Sequence, residues 1–443
     1  MFTNQKLKQL IIPLVIEQIL SVLVGMSDIV MVSSVSEAAV SGVSLVDSIS
    51  VLIINIFAAL ATGGAVVAAQ YLGKGDEQKA CFSAKQLILC TVVISAVIMA
   101  VFLVAGSQLI TLIFGHVEME VLQSARIYLL ITSLSYPFIA LYNSCAALYR
   151  AMGNSRISMF TSLIMNALNI VGNAILIYGF GMGVEGAAIP TLLSRMVCAL
   201  MIVMMLRHRQ TQIRLDSYFH LGLDFTMIRR ILQIGVPNGL ENGMFQTGKI
   251  LVQSLVSLFG TASIAANAVA NNFAQMEIIP AAAIGLGMVT VVGQCMGAGK
   301  VEEARAYTKK LLKWAYVCSV VLNVAILLGS DLLLMLYNLS PETLQIAKTL
   351  LFIHGVFVMV CWPLSFTLPN ALRAANDARF TMTVSIASMW ICRIGLSYVF
   401  ALGLRLGVVG VWLAMVCDWF VRSLFFVIRF CGNRWTRRRL IES

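Results

Sequence analysis

Glu17, Ser21, Gly25 and Asp28 recur at i, i+4, i+8 and i+11 within a stretch that is otherwise mostly apolar. On a helix this spacing sets both carboxylates on one face, about 16 Å apart along the axis at 1.5 Å per residue. Acids on one face of an apolar helix can carry a proton or offer the hard oxygens a sodium ion takes. Glu241 follows Pro237 by one turn and lies between Asn238 and Asn242, with Lys249 two turns on as a counter-charge. Glu277 follows Asn267, Asn271 and Asn272 and precedes Pro280 by three residues, and either a cationic ligand or Lys249 could meet it. Asn166, Asn169 and Asn173 form one polar stripe, which interhelical amide bonds would also explain. Asp377 stands between Arg373 and Arg379, so a helix-end salt bridge is as good a reading as a ligand site. Asp418 and Arg422 are i, i+4 neighbours and read as a structural pair, with Arg195 and Arg393 also at membrane depth.

These groups need elements that hold charge inside an apolar medium. Of 443 residues, 59% are hydrophobic and 12% charged, half the charge of a soluble domain at roughly 25%. Apolar stretches long enough to cross a bilayer fall at 8–33, 42–71, 84–114, 124–150, 156–180 and 184–207. Six more follow at 229–259, 265–296, 308–338, 344–373, 380–403 and 406–431. The formal net charge of +11 gathers in alternate loops, for example Arg207, Arg209, Arg214, Arg229 and Arg230. That asymmetry predicts a multi-pass protein of a prokaryotic cytoplasmic membrane with both termini in the cytoplasm, and makes nucleic acid an unneeded partner. The ten cysteines show no metal-ligand spacing and read as small buried hydrophobes. No HExxH, GxSxG or phosphate-cradling Gly-Lys-Ser/Thr motif stands out, so neither an enzyme nor a cofactor is expected.

The chain also repeats itself. Pro13-x-x-x-Glu17 returns as Pro237-x-x-x-Glu241, and Gln70-x-x-Gly73-x-Gly75 as Gln294-x-x-Gly297-x-Gly299. Arg150 to Arg156 returns as Arg373 to Arg379, and Gly183-Val-x-Gly186 as Gly407-Val-x-Gly410. All four offsets are 223 or 224 residues. The expectation is an all-α polytopic membrane protein with twelve transmembrane helices in two pseudo-symmetric six-helix bundles. Residues 1–206 form the N-terminal lobe, 207–228 a cytoplasmic linker, 229–431 the C-terminal lobe and 432–443 a basic tail. Six spans per half give both halves one orientation, the parallel-repeat plan of many transporters.

Gln294-Cys-Met-Gly-Ala-Gly299, Leu148-Tyr-Arg-Ala-Met-Gly-Asn-Ser-Arg156, Gly183-Val-Glu-Gly-Ala-Ala188 and Ala371-Leu-Arg-Ala-Ala-Asn-Asp-Ala-Arg379 together resemble the multidrug and toxic compound extrusion (MATE) transporters. The resemblance covers nearly the whole chain. It implies two bundles around a V-shaped cleft, and a secondary antiporter whose rocking lobes export organic cations or amphipathic compounds against protons or sodium ions. It puts Asp28 at the first-helix aspartate position of cation-coupled members. Sodium-coupled members carry their span-seven glutamate where this chain has Phe245, one turn after Glu241. An aspartate is common in the family where this chain has Asn173, and Asp377 matches a charged motif after span ten. The coupling and substrate residues expected are therefore Asp28 and Glu241, then Glu17, Glu277, Asp377 and Asn173, with sodium, if used, at Asp28 or Glu241. Asn238, Asn242, Asn271, Phe245, Tyr136 and Trp362 are expected to line the cleft, the aromatics offering cation–π contacts to a lipophilic cation. The expected partners are a small amphipathic or cationic substrate and the bilayer, around a monomer. The alternatives are a flippase for a lipid-linked saccharide, which would need a cationic lining for pyrophosphate, or a membrane-embedded enzyme.

Overall fold

The computed structural model describes all residues except 116–117, 208–210, 216–221, 336, 338 and 437–443. Parts of the expected linker and most of the basic tail, with Arg437, Arg438 and Arg439, therefore lie outside the described residues. Among those described there is no strand. The first half comprises α1 (Asn4–Ser33), α2 (Glu37–Lys74), α3 (Glu77–Phe114), α4 (Met119–Ser133), α5 (Tyr136–Ala151), α6 (Ser155–Ala174) and α7 (Glu185–Leu206). Then follow α8 (Phe225–Val256), α9 (Gly260–Glu277), α10 (Ile279–Gly297), α11 (Val301–Leu328) and α12 (Ser330–Met335). The chain closes with α13 (Pro341–Val360), α14 (Leu368–Ala374), α15 (Ala378–Ser388), the single turn α16 (Leu396–Tyr398) and α17 (Gly407–Cys431). Eleven stretches among the described residues are long and apolar enough to cross a bilayer. Counting α4 and α5, bent by 49° at their junction, as one span makes twelve. All-helical spans follow from physics, because in lipid every backbone amide must be satisfied within its own segment.

The helix ends are written in the sequence. Thr3, Ser36, Asp76 and Ser340 cap α1, α2, α3 and α13 by accepting a backbone N–H three residues on. The repeated glycine signature has a backbone cause. Gly75 and Gly299 both take left-handed conformations, with φ of 82° and 73°, just past α2 and α10. Such a residue turns the chain out of a helix, and glycine adopts it without strain. At the next pair of matching positions Gly153 has φ 81° and Asn376 has φ 65°, so the second half uses the one other residue type that visits this region readily.

Packing divides the chain into two units, Thr3–Gly239 and Leu240–Ser443, the latter taking in Met1 and Phe2. The boundary falls inside α8. In the first unit Val43 and Val46 of α2 pack with Ile110 of α3, Leu129 of α4 and Ala188 of α7. In the second, Phe273 of α9 packs with Ile326 of α11 and Leu351 of α13. Close approach relies on small residues, as is usual between membrane helices. A Cβ on Gly172 of α6 would lie 2.7 Å from the Pro190 Cβ on α7, and one on Gly410 would lie 2.7 Å from the Phe400 carbonyl carbon. Every cysteine is free; Cys90, Cys145, Cys198, Cys295 and Cys361 are buried, whereas Cys318 and Cys431 are exposed.

α2 is continuous over 38 residues, but its repeat counterpart is broken into α9 and α10 at Ile278, with Pro280 in the first turn of α10. π-helical turns occur at Ile175–Gly179, Pro363–Thr367, Met389–Gly395 and Val399–Gly403. Such turns tend to occur where a helix carries function, and the first begins two residues after Asn173.

Candidate functional site

The first unit gathers oxygens around Asp28. The approach of Gly172 to Pro190 brings the residues on either side of Gly172 onto α7. Asn169 Nδ2 donates to Thr191 Oγ1 at 3.0 Å, and Thr191 donates on to the Ala187 carbonyl at 2.9 Å. One turn along α6, Asn173 Nδ2 donates to Asp28 Oδ1 at 2.8 Å and approaches Asn169 Oδ1 at 3.5 Å. Asn173 Oδ1 is buried and accepts no hydrogen bond. Three helices thus bring a carboxylate, two amide oxygens and a hydroxyl together. All are neutral or acidic oxygens, a set that suits a proton or a hard cation.

A second carboxylate, Asp47 of α2, interacts electrostatically with Asp28, Tyr128 and Arg195. Arg195 Nη1 donates to Ser135 Oγ at 2.8 Å. Sequence reasoning missed Asp47 and Thr191. Asp47 had a signal, since it is the sole acidic residue of the apolar stretch 42–71. Thr191, a hydroxyl after a proline, had none. Tyr136 shares a hydrogen bond with Ser50 at 3.3 Å and packs edge-on to Phe57 and Phe102.

Glu17 and Glu241 occupy equivalent repeat positions and have equivalent partners. Glu17 Oε1 lies 3.5 Å from Arg150 Nη1 and its Oε2 accepts from Ser158 at 2.8 Å. Glu241 Oε1 accepts from Arg373 Nη2 at 2.7 Å, and Arg373 also donates to Asn370. Asn238 is buried and Asn242 half-buried. Asp377 pairs with Arg429 of α17 at 2.6 and 3.1 Å.

Glu277, fully buried at the α9–α10 break, meets His354 of α13 rather than Lys249. The His354 ring sits edge-on to Trp412 and Trp419, with centroids 5.5 and 5.2 Å away. Glu277 Oε1 has no hydrogen-bond partner. His354 was also missed, although an imidazole inside an apolar span is as conspicuous as a carboxylate. Asn271 donates to the Asn267 carbonyl within its own helix. Trp362 stacks on Phe366 at 5.0 Å. The Phe245 ring, expected to offer its face to a lipophilic cation, already has Lys249, Arg393 and Arg422 within about 6 Å. Among the described residues no group of three or more His, Cys, Asp or Glu is placed to hold a metal ion.

Comparison with known proteins sets these sites in a family. The chain is 27% identical over 432 residues to an uncharacterized transporter, YisQ, of Bacillus subtilis, with 96% of this chain and 94% of that protein covered. It is 26% identical over 448 residues to the probable multidrug resistance protein NorM of Thermotoga maritima, covering 99% and 94%. Among solved structures, an outward-facing multidrug resistance MATE family transporter of the MOP superfamily superposes with a TM-score of 0.90 at 22% identity, over 96% of this chain and 95% of that one. The MatE family model matches twice, at residues 13–175 and 237–399, two segments in the same register as the repeated motifs. The chain therefore belongs to the MatE family of multi-pass membrane transporters.

Proposed function

We propose that the protein is a secondary antiporter that exports amphipathic small molecules, organic cations among them, in exchange for protons or sodium ions bound at Asp28. The observation that carries this reading is the convergence of Asp28, Asn173, Asn169 and Thr191 from α1, α6 and α7 in the membrane interior. A charge at the centre of a membrane helix costs about 2.5–3.5 kcal/mol on insertion scales, so a carboxylate within a span is stable when it is protonated, bound to a cation or balanced by a positive neighbour, which for Asp28 is Arg195. Ion binding shifts the balance of outward- and inward-open states only through its different affinity for the two, and an acid whose amide partners sit on other helices can supply that difference. The names of the relatives, a probable multidrug resistance protein among them, support the substrate class. The basic loops support a cell-membrane orientation with both termini in the cytoplasm.

The test is uptake of a fluorescent organic cation into proteoliposomes under separately imposed sodium and pH gradients. One gradient is expected to drive transport, and Asp28→Asn is expected to abolish the driven component while the protein still folds and binds dye. Gradient-driven transport by Asp28→Asn at the parental rate would remove the assignment, and dye flux that ignores both gradients would identify a passive pore.

A further inference from the structure

Within the Leu240–Ser443 unit three cationic side chains gather around one ring. Lys249 of α8, Arg393 in the π-helical turn after α15 and Arg422 of α17 surround one aromatic ring, that of Phe245, at 6.0, 5.1 and 5.8 Å from its centroid. Arg422 also lies 5.2 Å from the Phe366 ring. Among the described residues the carboxylate in ion-pair range of them is Asp418, and it is committed. Its Oδ1 accepts from Arg422 Nε at 2.8 Å and from Ser388 Oγ at 2.5 Å. Its Oδ2 is 3.9 Å from Arg393 Nη1, too far for a hydrogen bond. Arg393 Nη1 is buried without a hydrogen-bond partner. Lys249 has no carboxylate in ion-pair range among the described residues, and it is close enough to Arg393 for the two to repel.

Three cations therefore share one anion in apolar surroundings. Cation–π contact with Phe245 offsets only part of the cost of burying an unpaired ion. The shortfall is met if an acidic ligand completes the cluster. The duplicated scaffold does not require these charges, since an offset of 224 residues sets Lys249 against Gly25 and Arg422 against Cys198. A cationic ligand would find the Phe245 face taken and three like charges around it.

We propose that this unit holds a recognition site for an anionic aromatic amphiphile. Its carboxylate or sulfonate is received by Lys249 and Arg393, and its ring packs beside the stacked pair Trp362 and Phe366, the latter edge-on to Phe245. The inference rests on the transporter reading and adds to its substrates those bearing an acidic group, zwitterions included.

The experiment is equilibrium binding to purified protein in detergent, followed by titration calorimetry, and it needs no ion gradient. Three probes are used: naphthalene-2-sulfonate, its cationic counterpart 2-naphthylmethylammonium, and farnesyl pyrophosphate as a lipid-like anion without a ring. The sulfonate is expected to bind the parent protein more tightly than either of the others. Lys249→Gln is expected to weaken it about tenfold or more, and Lys249→Arg to restore it to within about threefold, which separates lost charge from lost fold. Tighter binding of the ammonium, tighter binding of the pyrophosphate, or unchanged sulfonate affinity in Lys249→Gln would each overturn the proposal. Sulfonate binding by a protein whose transport ignores ion gradients would support this site while the antiporter reading failed on its own test.

Discussion

Asp28 and Arg422 represent two ways a membrane interior holds charge. Asp28 accepts an amide hydrogen bond from Asn173. Arg422 is locked by Asp418 and by the Ser385 carbonyl, 3.1 Å from its Nη2. The first arrangement leaves a group able to gain and lose a cation, and the second fixes one. Arg422→Met is accordingly expected to destabilise the protein by about 3 kcal/mol or more, because it leaves the buried Asp418 with Ser388 and a distant arginine; a thermal-unfolding midpoint no lower than the parent's would contradict this. At this scale the sequence was informative wherever a charge interrupted an apolar run. Asp28 and Glu17 could be found from helical spacing. Asp47 and His354 carried the same signal, unused because neither belongs to a spaced pair or a motif. Thr191 could not be found, because its role comes from where the Gly172–Pro190 contact places it. Nor does one sequence show whether Lys249 meets Glu277 or a ring, since both lie within reach of a long flexible side chain.

Helices and the repeated glycine positions were largely legible. The apolar runs and the glycine signatures correspond to observed elements with observed causes. The π-helical turns were not, since one extra residue in a helical turn leaves no trace in composition or period. The element that positions the Asp28 site is the α6–α7 contact, and it can be tested without touching any polar group. Gly172→Val is expected to push Pro190 away, part Asn169 from Thr191 and lower ion-driven transport at least tenfold, with a smaller loss of thermal stability. Parental transport by this variant would show that the contact does not set the site. The backbone explanation of the repeated turns makes an asymmetric claim. Asn376→Gly is expected to be tolerated to within about 1 kcal/mol, whereas Asn376→Val should cost more, because a β-branched residue resists a left-handed φ. Equal unfolding midpoints for the two would refute that explanation.

At the scale of the whole chain, two copies of one plan carry different chemistry. The Glu–Arg link survives in both, as Glu17 with Arg150 and Glu241 with Arg373, which marks it as part of the shared scaffold. Glu17→Gln and Glu241→Gln are each expected to lower the unfolding midpoint, and to do so additively in the double variant because the two pairs belong to different packing units. Ion dependence of transport should persist in both, and its loss in either would return that glutamate to the coupling machinery. The repeat itself was plain in the sequence, because backbone-driven motifs outlast side-chain change. The charges that separate the halves were visible singly, but their grouping into an oxygen-lined site in one and a cationic site in the other needed three dimensions. The ten unpaired thiols have a practical corollary. With five sealed from reagent, Cys318 within the α11 span and Cys431 exposed at the end of α17, a membrane-permeant maleimide should tag Cys431 fastest by mass spectrometry. The unaltered polypeptide would then offer a fluorophore anchor in its second half, ready for spectroscopy in working vesicles.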